Sequence, residues 1–272
     1  MKHKVALVQM NAGPAIDANL ASVAEQIRRA RDRGAAFIAT PECTGAMVQG
    51  REKSLAVADI EANHPGPELF QELALETEAW LLAGSFGILR DDGMLANRSY
   101  LVAPTGAIAA TYDKIHLFDF IAPDGASYRE SATYAPGTSA VVADTDLGRV
   151  GLSICYDVRF AALYRSLAKA GAQIITVPAA FTVPTGEAHW HVLLRARAIE
   201  TGAFILAPAQ TGTHDEGRKT YGHSLIVAPW GEVLADGGTE PGLVEAELDL
   251  DRVAEVRQRL QSLQHDRDFA TP

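Results

Sequence analysis

The chain has 272 residues, 47% of them hydrophobic, and a formal net charge of −10. This suits a globular α/β protein with a sizeable core, and the acidic balance argues against a nucleic-acid or anionic-membrane partner. No apolar run is long enough to span a bilayer. Two cysteines argue against a disulfide scaffold and fit a reducing compartment, so we expect a cytoplasmic location.

The first half of the chain alternates short apolar runs with helical patterns. Residues 4–10 predict a strand, because the run is too short for a signal peptide. Apolar spacing predicts a helix between Asp17, as N-cap, and Gly34, as C-cap, followed by a buried strand over 35–40 that ends beside Glu42. Further elements are predicted as a helix over 68–79 and strands over 80–89, 97–103 and 107–112.

Residues 113–137 form a long segment without clear periodicity, which carries Lys114 and Glu130 among several aromatic residues. Long irregular segments in compact domains are usually functional or disordered, and the aromatic residues argue against disorder. We therefore expect this segment to contribute to a site.

The stretch 149–160, RVGLSICYDVRF, changes abruptly from apolar to polar at Cys155. A helix is predicted to follow over 161–170, so Cys155 lies where a buried strand becomes a helix. Sheets of α/β proteins build sites at such positions, and helix amide dipoles there favour a thiolate. A buried cysteine is also commonly a small hydrophobic residue, so position alone leaves both interpretations open.

The second half repeats the plan of the first: a strand, a reactive residue, a helix, a glycine and another strand. No linker rich in Gly, Pro or Ser interrupts the pattern, so we predict one domain over residues 1–272. Its other elements are predicted as strands over 139–145, 173–177, 203–207, 222–228, 232–236 and 243–248, helices over 187–201 and 252–263, and a polar loop over 210–221.

A cysteine nucleophile needs a base that removes its proton and donors that stabilise the developing oxyanion. Glu42 is suited to be the base, because burial raises the pKa of a carboxyl group, and Lys114 is suited to be the donor. Taken singly, each residue also has an ordinary structural interpretation: a solvated or capping acid, a loop lysine, or, for Glu130, a surface pair with Arg129.

Three segments decide between these interpretations: TPE at 40–42, YDKIHLFD at 112–119 and GLSICYDVRF at 151–160. In this order they resemble the three signatures of the nitrilase superfamily of carbon–nitrogen hydrolases, and the flanking segments match from residue 4 to residue 248. The resemblance implies a four-layer α-β-β-α sandwich of two mixed sheets. It implies no cofactor and no metal.

The resemblance also implies a Glu-Lys-Cys triad that hydrolyses an amide through a thioester. Glu42 resembles the general base, Lys114 the oxyanion-stabilising lysine and Cys155 the nucleophile. Glu130 resembles a second glutamate that holds the lysine and the substrate, while Cys43 is expected only to pack. The family often has Pro-Glu where this chain has Ala161 and Ala162, which removes some preorganisation at the helix start.

Residues 178–201 and 209–233 resemble the amidase branch that hydrolyses deaminated glutathione to 2-oxoglutarate and cysteinylglycine. The related omega-amidase branch, which releases ammonia from 2-oxoglutaramate, stays open. So do N-carbamoyl amino-acid hydrolysis and nitrile hydrolysis, which use the same triad. A non-catalytic member of the fold is disfavoured, because it would have no need of all three triad residues.

A small-molecule substrate with a 2-oxo acid end needs cationic or N–H donors. We predict such contacts from Tyr156, Arg159 and His214, with Asp157 as an alternative partner for Arg159. The same loop also carries Arg218, Lys219 and Tyr221, and we expect it to reach the pocket mouth.

Two further expectations concern metal ions and assembly. His189 and His191, with His214 and His223, suggest a metal hydrolase, but no H-E-x-x-H motif or cysteine pair supports it. The resemblance implies a homodimer or larger homo-oligomer, with residues 252–272 as a candidate interface whose charge also fits a solvated helix.

Overall fold

The computed structural model describes residues 2–121, 127–214 and 217–270. Its first six-stranded sheet has the order β16-β1-β2-β3-β4-β5, in which β1, β2 and β3 are parallel and the other pairs antiparallel. The strands are β1 (Lys2–Gln9), β2 (Phe37–Ala39), β3 (Trp80–Leu89), β4 (Leu95–Val102), β5 (Ile108–Asp113) and β16 (Gly242–Asp249).

The second six-stranded sheet has the order β15-β14-β11-β10-β9-β8 and again contains three central parallel strands. Its strands are β8 (Val141–Thr145), β9 (Gly148–Leu152), β10 (Ile174–Thr176), β11 (Phe204–Ala207), β14 (Leu225–Val227) and β15 (Val233–Asp236). Two small hairpins are added, β6 (Asp119–Ile121) with β7 (Ser127–Arg129), and β12 (Thr211–Thr213) with β13 (Lys219–Tyr221). The shared topology of the two sheets agrees with the repeat seen in the sequence pattern.

Helices connect the parallel strands in both halves, and a final helix follows β16. They are α1 (Ile16–Asp32), α2 (Arg51–Ala56), α3 (Pro65–Thr77), α4 (Ala161–Lys169), α5 (Val183–Thr185), α6 (His191–Thr201) and α7 (Asp251–Arg259). A π-helical turn, Gly186–Trp190, joins α5 to α6, and 3-10 helices cover Glu130–Ala132 and Cys155–Arg159.

The strands sort their side chains into two cores, because successive residues of a strand point to opposite faces. In β1, Val5 and Leu7 belong to the apolar cluster that includes the second sheet, whereas Ala6 and Val8 belong to the cluster that includes α1 and α3. The second sheet packs against α4 and α6. The layers are therefore helices, sheet, sheet and helices, and the predicted α/β four-layer sandwich is confirmed.

Local details differ from the sequence-based expectations. Helix α1 begins at Ile16 after Ala15, so Asp17 is not its N-cap but an acidic residue of its first turn. The predicted polar loop over 210–221 contains the β12-β13 hairpin, whose three-residue strands are too short for a periodic pattern. Helix α2 was not predicted. Part of the long segment over 113–137, residues 122–126, lies outside the described residues.

The C-terminal segment packs on its own chain. Val253 and Val256 of α7 are buried, and the Arg257 guanidinium donates hydrogen bonds to the carbonyls of Ala172 and Thr201. A role of residues 252–272 in an oligomer interface stays a prediction. Within the described ranges, no helix combines the length and the apolar character needed to cross a membrane.

Candidate active site

Three strand ends bring Glu42, Lys114 and Cys155 together between the sheets. Glu42 follows β2, Lys114 follows β5, and Cys155 begins the 3-10 helix after β9. Their exposed fractions are 5%, 2% and 7%, so all three are buried. The end of β2 lies directly against Gly84 of β3, where a Cβ atom would be 2.1 Å from the Thr40 carbonyl oxygen. Only a glycine at this position permits the close approach that places Glu42.

Lys114 lies between two carboxylates. Its Nζ is 2.8 Å from Glu42 Oε1 and 3.0 and 2.9 Å from the two oxygens of Glu130. Glu130 is itself fixed by the Phe118 N–H, which donates to its Oε2 over 2.6 Å. The ammonium is thereby held at a defined position by two carboxylates, while the Lys114 N–H donates to the Asn97 carbonyl of β4 over 2.9 Å.

Cys155 stands on a constrained turn. Its φ of +49° lies in the left-handed region, which costs a residue with a Cβ roughly 1–2 kcal/mol. Its N–H donates to the Pro178 carbonyl over 2.9 Å, and its thiol hydrogen-bonds Glu42. The Ala180 N–H lies beside both groups: it donates to Glu42 Oε2 over 3.0 Å, and it acts to lower the pKa of Cys155.

The fully buried carboxylate of Asp157 stabilises the turn at Cys155 through hydrogen bonds. It accepts hydrogen bonds from the Ile154 N–H at 2.9 Å, the Tyr112 hydroxyl at 2.7 Å and the His116 N–H at 3.0 Å. The pairing of Asp157 with Arg159 is therefore not observed, because the carboxylate points into the protein and is saturated there.

The pKa values of Glu42 and Lys114 are not shifted in the direction that burial alone would give. Burial acts to raise the pKa of Glu42, but the charge of Lys114 and hydrogen bonds from Lys114, Cys155 and Asn97 lower it below its ordinary value. The prediction that burial raises this pKa is wrong in its net direction. The pKa of Lys114 is raised, since the two glutamates outweigh burial.

The pKa of Cys155 is raised well above its ordinary value by burial and by the negative charge of Glu42. The expectation that helix dipoles favour a thiolate is therefore wrong for this resting state. The site holds a thiol beside a carboxylate, which is the protonation state that a general base requires before proton transfer.

The thiol opens on a small pocket with an empty volume of about 230 Å³, including its mouth. Aromatic rings of Phe118, Tyr156 and Phe181 line it together with Arg159. A cysteine thiol, a carboxylate, an ammonium group and a pocket therefore occupy one place.

The family model described as carbon–nitrogen hydrolase matches residues 4–258. The chain belongs to this family. It is 43% identical over 267 residues to the deaminated glutathione amidase of Synechocystis sp., covering 96% of each chain. It is 36% identical over 261 residues to the omega-amidase NIT2-A of Xenopus laevis, covering 95% of this chain and 93% of the relative.

The fold of this carbon–nitrogen hydrolase agrees with a solved family structure. Saccharomyces cerevisiae Nit3, a member of branch 10 of the nitrilase superfamily, superposes with a TM-score of 0.86 at 29% identity, covering 95% of this chain and 94% of that one. Membership in the nitrilase superfamily, predicted from three short segments, is confirmed.

Two of the predicted substrate-binding residues line the pocket of this hydrolase. Tyr156 contributes its ring, and the guanidinium of Arg159 lies 5.6 Å from the centre of that ring and 5.5 Å from the centre of Phe181. The other partner of Arg159 is His189, at 3.3 Å. The cation is thus held over two aromatic faces at the pocket wall.

The third predicted residue, His214, is not among the described residues that line the pocket. It is buried, and its ring nitrogens lie 2.8 Å from the Ala12 carbonyl and 2.6 Å from the Thr220 hydroxyl. These contacts anchor the start of the loop. Arg218, from the same loop, does reach the site, because it donates to the carbonyl of Ala180 over 3.3 Å.

The histidines considered as metal ligands separate. His189 contacts Arg159 and His214 contacts Thr220, and among the described residues neither belongs to a group of three or more potential metal ligands. His191 and His223 do meet, together with Asp236, outside the cysteine pocket.

Sequence reasoning missed Asn97. This β4 residue is buried, and its Nδ2 donates to Glu42 Oε1 over 3.0 Å and to Glu130 Oε1 over 3.1 Å. It therefore links the two carboxylates on either side of Lys114. The sequence offered one signal for this role, which was an asparagine side chain within a predicted strand.

Cys43, expected only to pack, is half-buried at a second cavity. Burial and the charge of Glu42 raise the pKa of its thiol to about 12. It is thus a poor nucleophile beside an assembled site, in keeping with a packing role.

Proposed function

We propose that the protein is an amidase that cleaves a C–N bond through a thioester on Cys155, with deaminated glutathione as its preferred substrate. The observation that carries this proposal is the buried contact of Cys155 with Glu42, which also binds Lys114. The names of the relatives supply the substrate class, and the site supplies the chemistry.

In the first step Glu42 takes the proton of Cys155, and the thiolate attacks the amide carbon. A carboxylate oxygen has about two acceptor positions. Those of Glu42 Oε1 are occupied by Lys114 and Asn97, whereas Oε2 accepts one bond from Ala180 and has one position left for the thiol proton. The base is therefore oriented with a single acceptor toward the nucleophile.

The tetrahedral oxyanion is stabilised by Lys114 and by the N–H of Tyr156. The ammonium carries its full charge, because its pKa is raised by the two glutamates. The Tyr156 N–H lies in the first turn of the 3-10 helix, where N–H groups have no acceptor within the helix. Donors held in advance in a buried site are the largest single contribution to many such reactions.

When the intermediate collapses, the C–N bond breaks and the nitrogen takes the proton from Glu42. The amine leaves and the acyl group stays on the sulfur. Glu42, again a carboxylate, takes a proton from water, whose oxygen attacks the thioester carbon. The carboxylic acid is released, and the proton returns from Glu42 to Cys155.

Two arginines suit a substrate with carboxylate groups. Arg159 forms one wall of the pocket, and Arg218 approaches Ala180 from the loop side. The Nε of Arg218 is buried and finds no acceptor within the described part of the chain. Deaminated glutathione carries a 2-oxo acid at one end and a glycine carboxylate at the other, so it can use both cations. The alternative substrate, 2-oxoglutaramate, has only one carboxylate.

The test is hydrolysis of deaminated glutathione beside 2-oxoglutaramate by the wild type and by Cys155→Ala at equal concentrations. We expect the wild type to prefer deaminated glutathione and the variant to turn over neither. A preference for 2-oxoglutaramate would keep the mechanism and move the protein to the omega-amidase branch. An active Cys155→Ala variant would refute the mechanism.

The location and assembly of the protein belong to the same proposal. Two free cysteines support the cytoplasm, where thiols stay reduced. Exposed apolar side chains on α6 and on the neighbouring turn, Val192, Ile199 and Trp230, support a homo-oligomer. Light scattering after gel filtration tests this, and the mass of a single chain would contradict it.

A further inference from the structure

Three side chains outside the cysteine pocket converge on one point. His191 begins α6, His223 lies between β13 and β14, and Asp236 ends β15. His191 Nε2 is 3.0 Å from Asp236 Oδ2, and His223 Nδ1 is 2.8 Å from Asp236 Oδ1. The three ligand atoms lie within 4.8 Å of one another. We propose that they form a binding site for a divalent transition-metal ion of the Zn²⁺ class.

Backbone hydrogen bonds fix the positions of His223 and Asp236 before any ion binds. His223 has a φ of +53°, which is unfavourable for a residue with a Cβ. Its N–H donates to Gly238 over 2.6 Å, and its carbonyl accepts from Trp190 Nε1 at 2.8 Å. The Gly238 N–H in turn donates to Asp236 Oδ1 over 2.9 Å. The same short segment thus fixes both the imidazole and the carboxylate.

The imidazole rings are also oriented by their neighbours. Tyr221 stacks on His223 with ring centres 4.4 Å apart, and its ring lies edge-on to His191 at 6.2 Å. Such contacts restrict rotation of the rings, so little reorganisation is needed when the three atoms turn toward an ion. Supporting contacts around metal ligands commonly set affinity in this way.

The donor set selects the kind of ion. Two imidazole nitrogens and one carboxylate oxygen suit Zn²⁺ and its neighbours in the transition series, and suit Ca²⁺ and Mg²⁺ poorly. The side chains of His191, His223 and Asp236 are 34%, 23% and 34% exposed, so an ion can enter and a water molecule can complete a tetrahedral site. The net charge of −10 favours the approach of a cation.

The site would connect three segments that are distant in the sequence. It includes none of the residues that line the cysteine pocket, so its consequence is stabilisation of the α6 and β15 region rather than chemistry. A metal that binds only the folded state raises the midpoint of thermal unfolding.

Calorimetric titration with ZnCl₂ tests the proposal, in a Cys155→Ala background that removes the buried thiol as a competing ligand. We expect one Zn²⁺ per chain, and affinity at least tenfold weaker in His191→Gln and in His223→Asn. Asparagine tolerates the left-handed backbone at position 223, so folding should be preserved. His265→Ala, which removes an exposed histidine elsewhere, is the matched control and should bind as before.

Thermal unfolding with and without Zn²⁺ gives a second readout. The midpoint should rise with Zn²⁺ in the parent protein and in His265→Ala, but not in His191→Gln. Absence of Zn²⁺ binding by the parent, or binding that both cluster substitutions leave unchanged, would overturn the proposal. Either result would leave the amidase function untouched, because that function does not depend on this cluster.

Discussion

Replacement of Glu42 by glutamine is expected to stop turnover and, at the same time, to make Cys155 more reactive toward an alkylating agent. Turnover stops because an amide cannot take the thiol proton. Reactivity rises because Glu42 is the charged group that, with burial, raises the pKa of this thiol, while Lys114 remains to stabilise a thiolate. The two effects go in opposite directions, which a simple loss of folding cannot imitate.

The size of the change in the pKa of Cys155 follows from the proximity of the Glu42 charge. Two unit charges about 4 Å apart interact by about 4 kcal/mol at an effective dielectric constant of about 20. This equals roughly three pKa units at 1.36 kcal/mol per unit. A lower pKa also makes the thiolate less nucleophilic, with a Brønsted coefficient of about 0.4–0.5, so the gain in rate at a fixed pH is about tenfold or more rather than a thousandfold.

The assay is the rate of iodoacetamide modification near pH 8, followed by peptide mass spectrometry that separates Cys155 from Cys43. Modification of Cys43 is followed in the same digest, and because the charge of Glu42 raises its pKa as well, its rate should also rise in Glu42→Gln. A Lys114→Met variant is the opposite control and should slow modification of Cys155. If Cys155 in Glu42→Gln reacts no faster than in the wild type, the electrostatic account of the site is wrong.

The remaining predictions concern the network, the pocket and pH. Asn97→Leu removes a donor from both Glu42 and Glu130, so kcat/KM should fall by about 5- to 150-fold, the equivalent of about 1–3 kcal/mol. The acidic limit of the variant's activity should also move to higher pH, because the hydrogen bond from Asn97 lowers the pKa of Glu42. An unchanged pH profile would contradict this role of Asn97. Arg218→Met should raise KM for deaminated glutathione by about tenfold or more with a smaller change in kcat, whereas a loss confined to kcat would argue against carboxylate binding. Because the folded-state pKa of Glu42 is lowered, the charge of Glu42 contributes stability at pH values above its ordinary pKa of 4.5. This contribution is lost as the pH falls through the folded-state pKa. The free energies of urea unfolding of the wild type and of Glu42→Gln should therefore converge at low pH, and a constant difference between them would refute the linkage.

The catalytic candidates could be found from the sequence because each lies next to a strand end inside a short signature. Glu42 and Lys114 follow strands of the first sheet and Cys155 follows a strand of the second, so the packing of the two sheets brings these distant residues together. The direction of the Glu42 pKa could not be found in this way. It depends on whether burial or Lys114 dominates, and that is a matter of a 2.8 Å contact between segments 72 residues apart.

The binding residues show the same limit. His214 and Arg218 lie in one polar loop, and the sequence offers no reason to choose between them. In the structure His214 turns inward to Ala12 and Thr220, while Arg218 turns toward Ala180. The role of Asn97 could not be found because it stands in a polar run with Arg98 and Ser99, and the sequence does not show that its side chain faces two buried carboxylates.

The thioester itself is the most direct test of the central claim. Wild-type protein mixed with deaminated glutathione would be quenched in acid within the first turnovers and analysed by mass spectrometry for an acyl group on the peptide that contains Cys155. The account predicts a 2-oxoglutaryl adduct on Cys155, the same adduct from 2-oxoglutaramate, and none in Cys155→Ala. Turnover of either substrate by the Cys155→Ala variant, or an adduct on Cys43 instead, would contradict it.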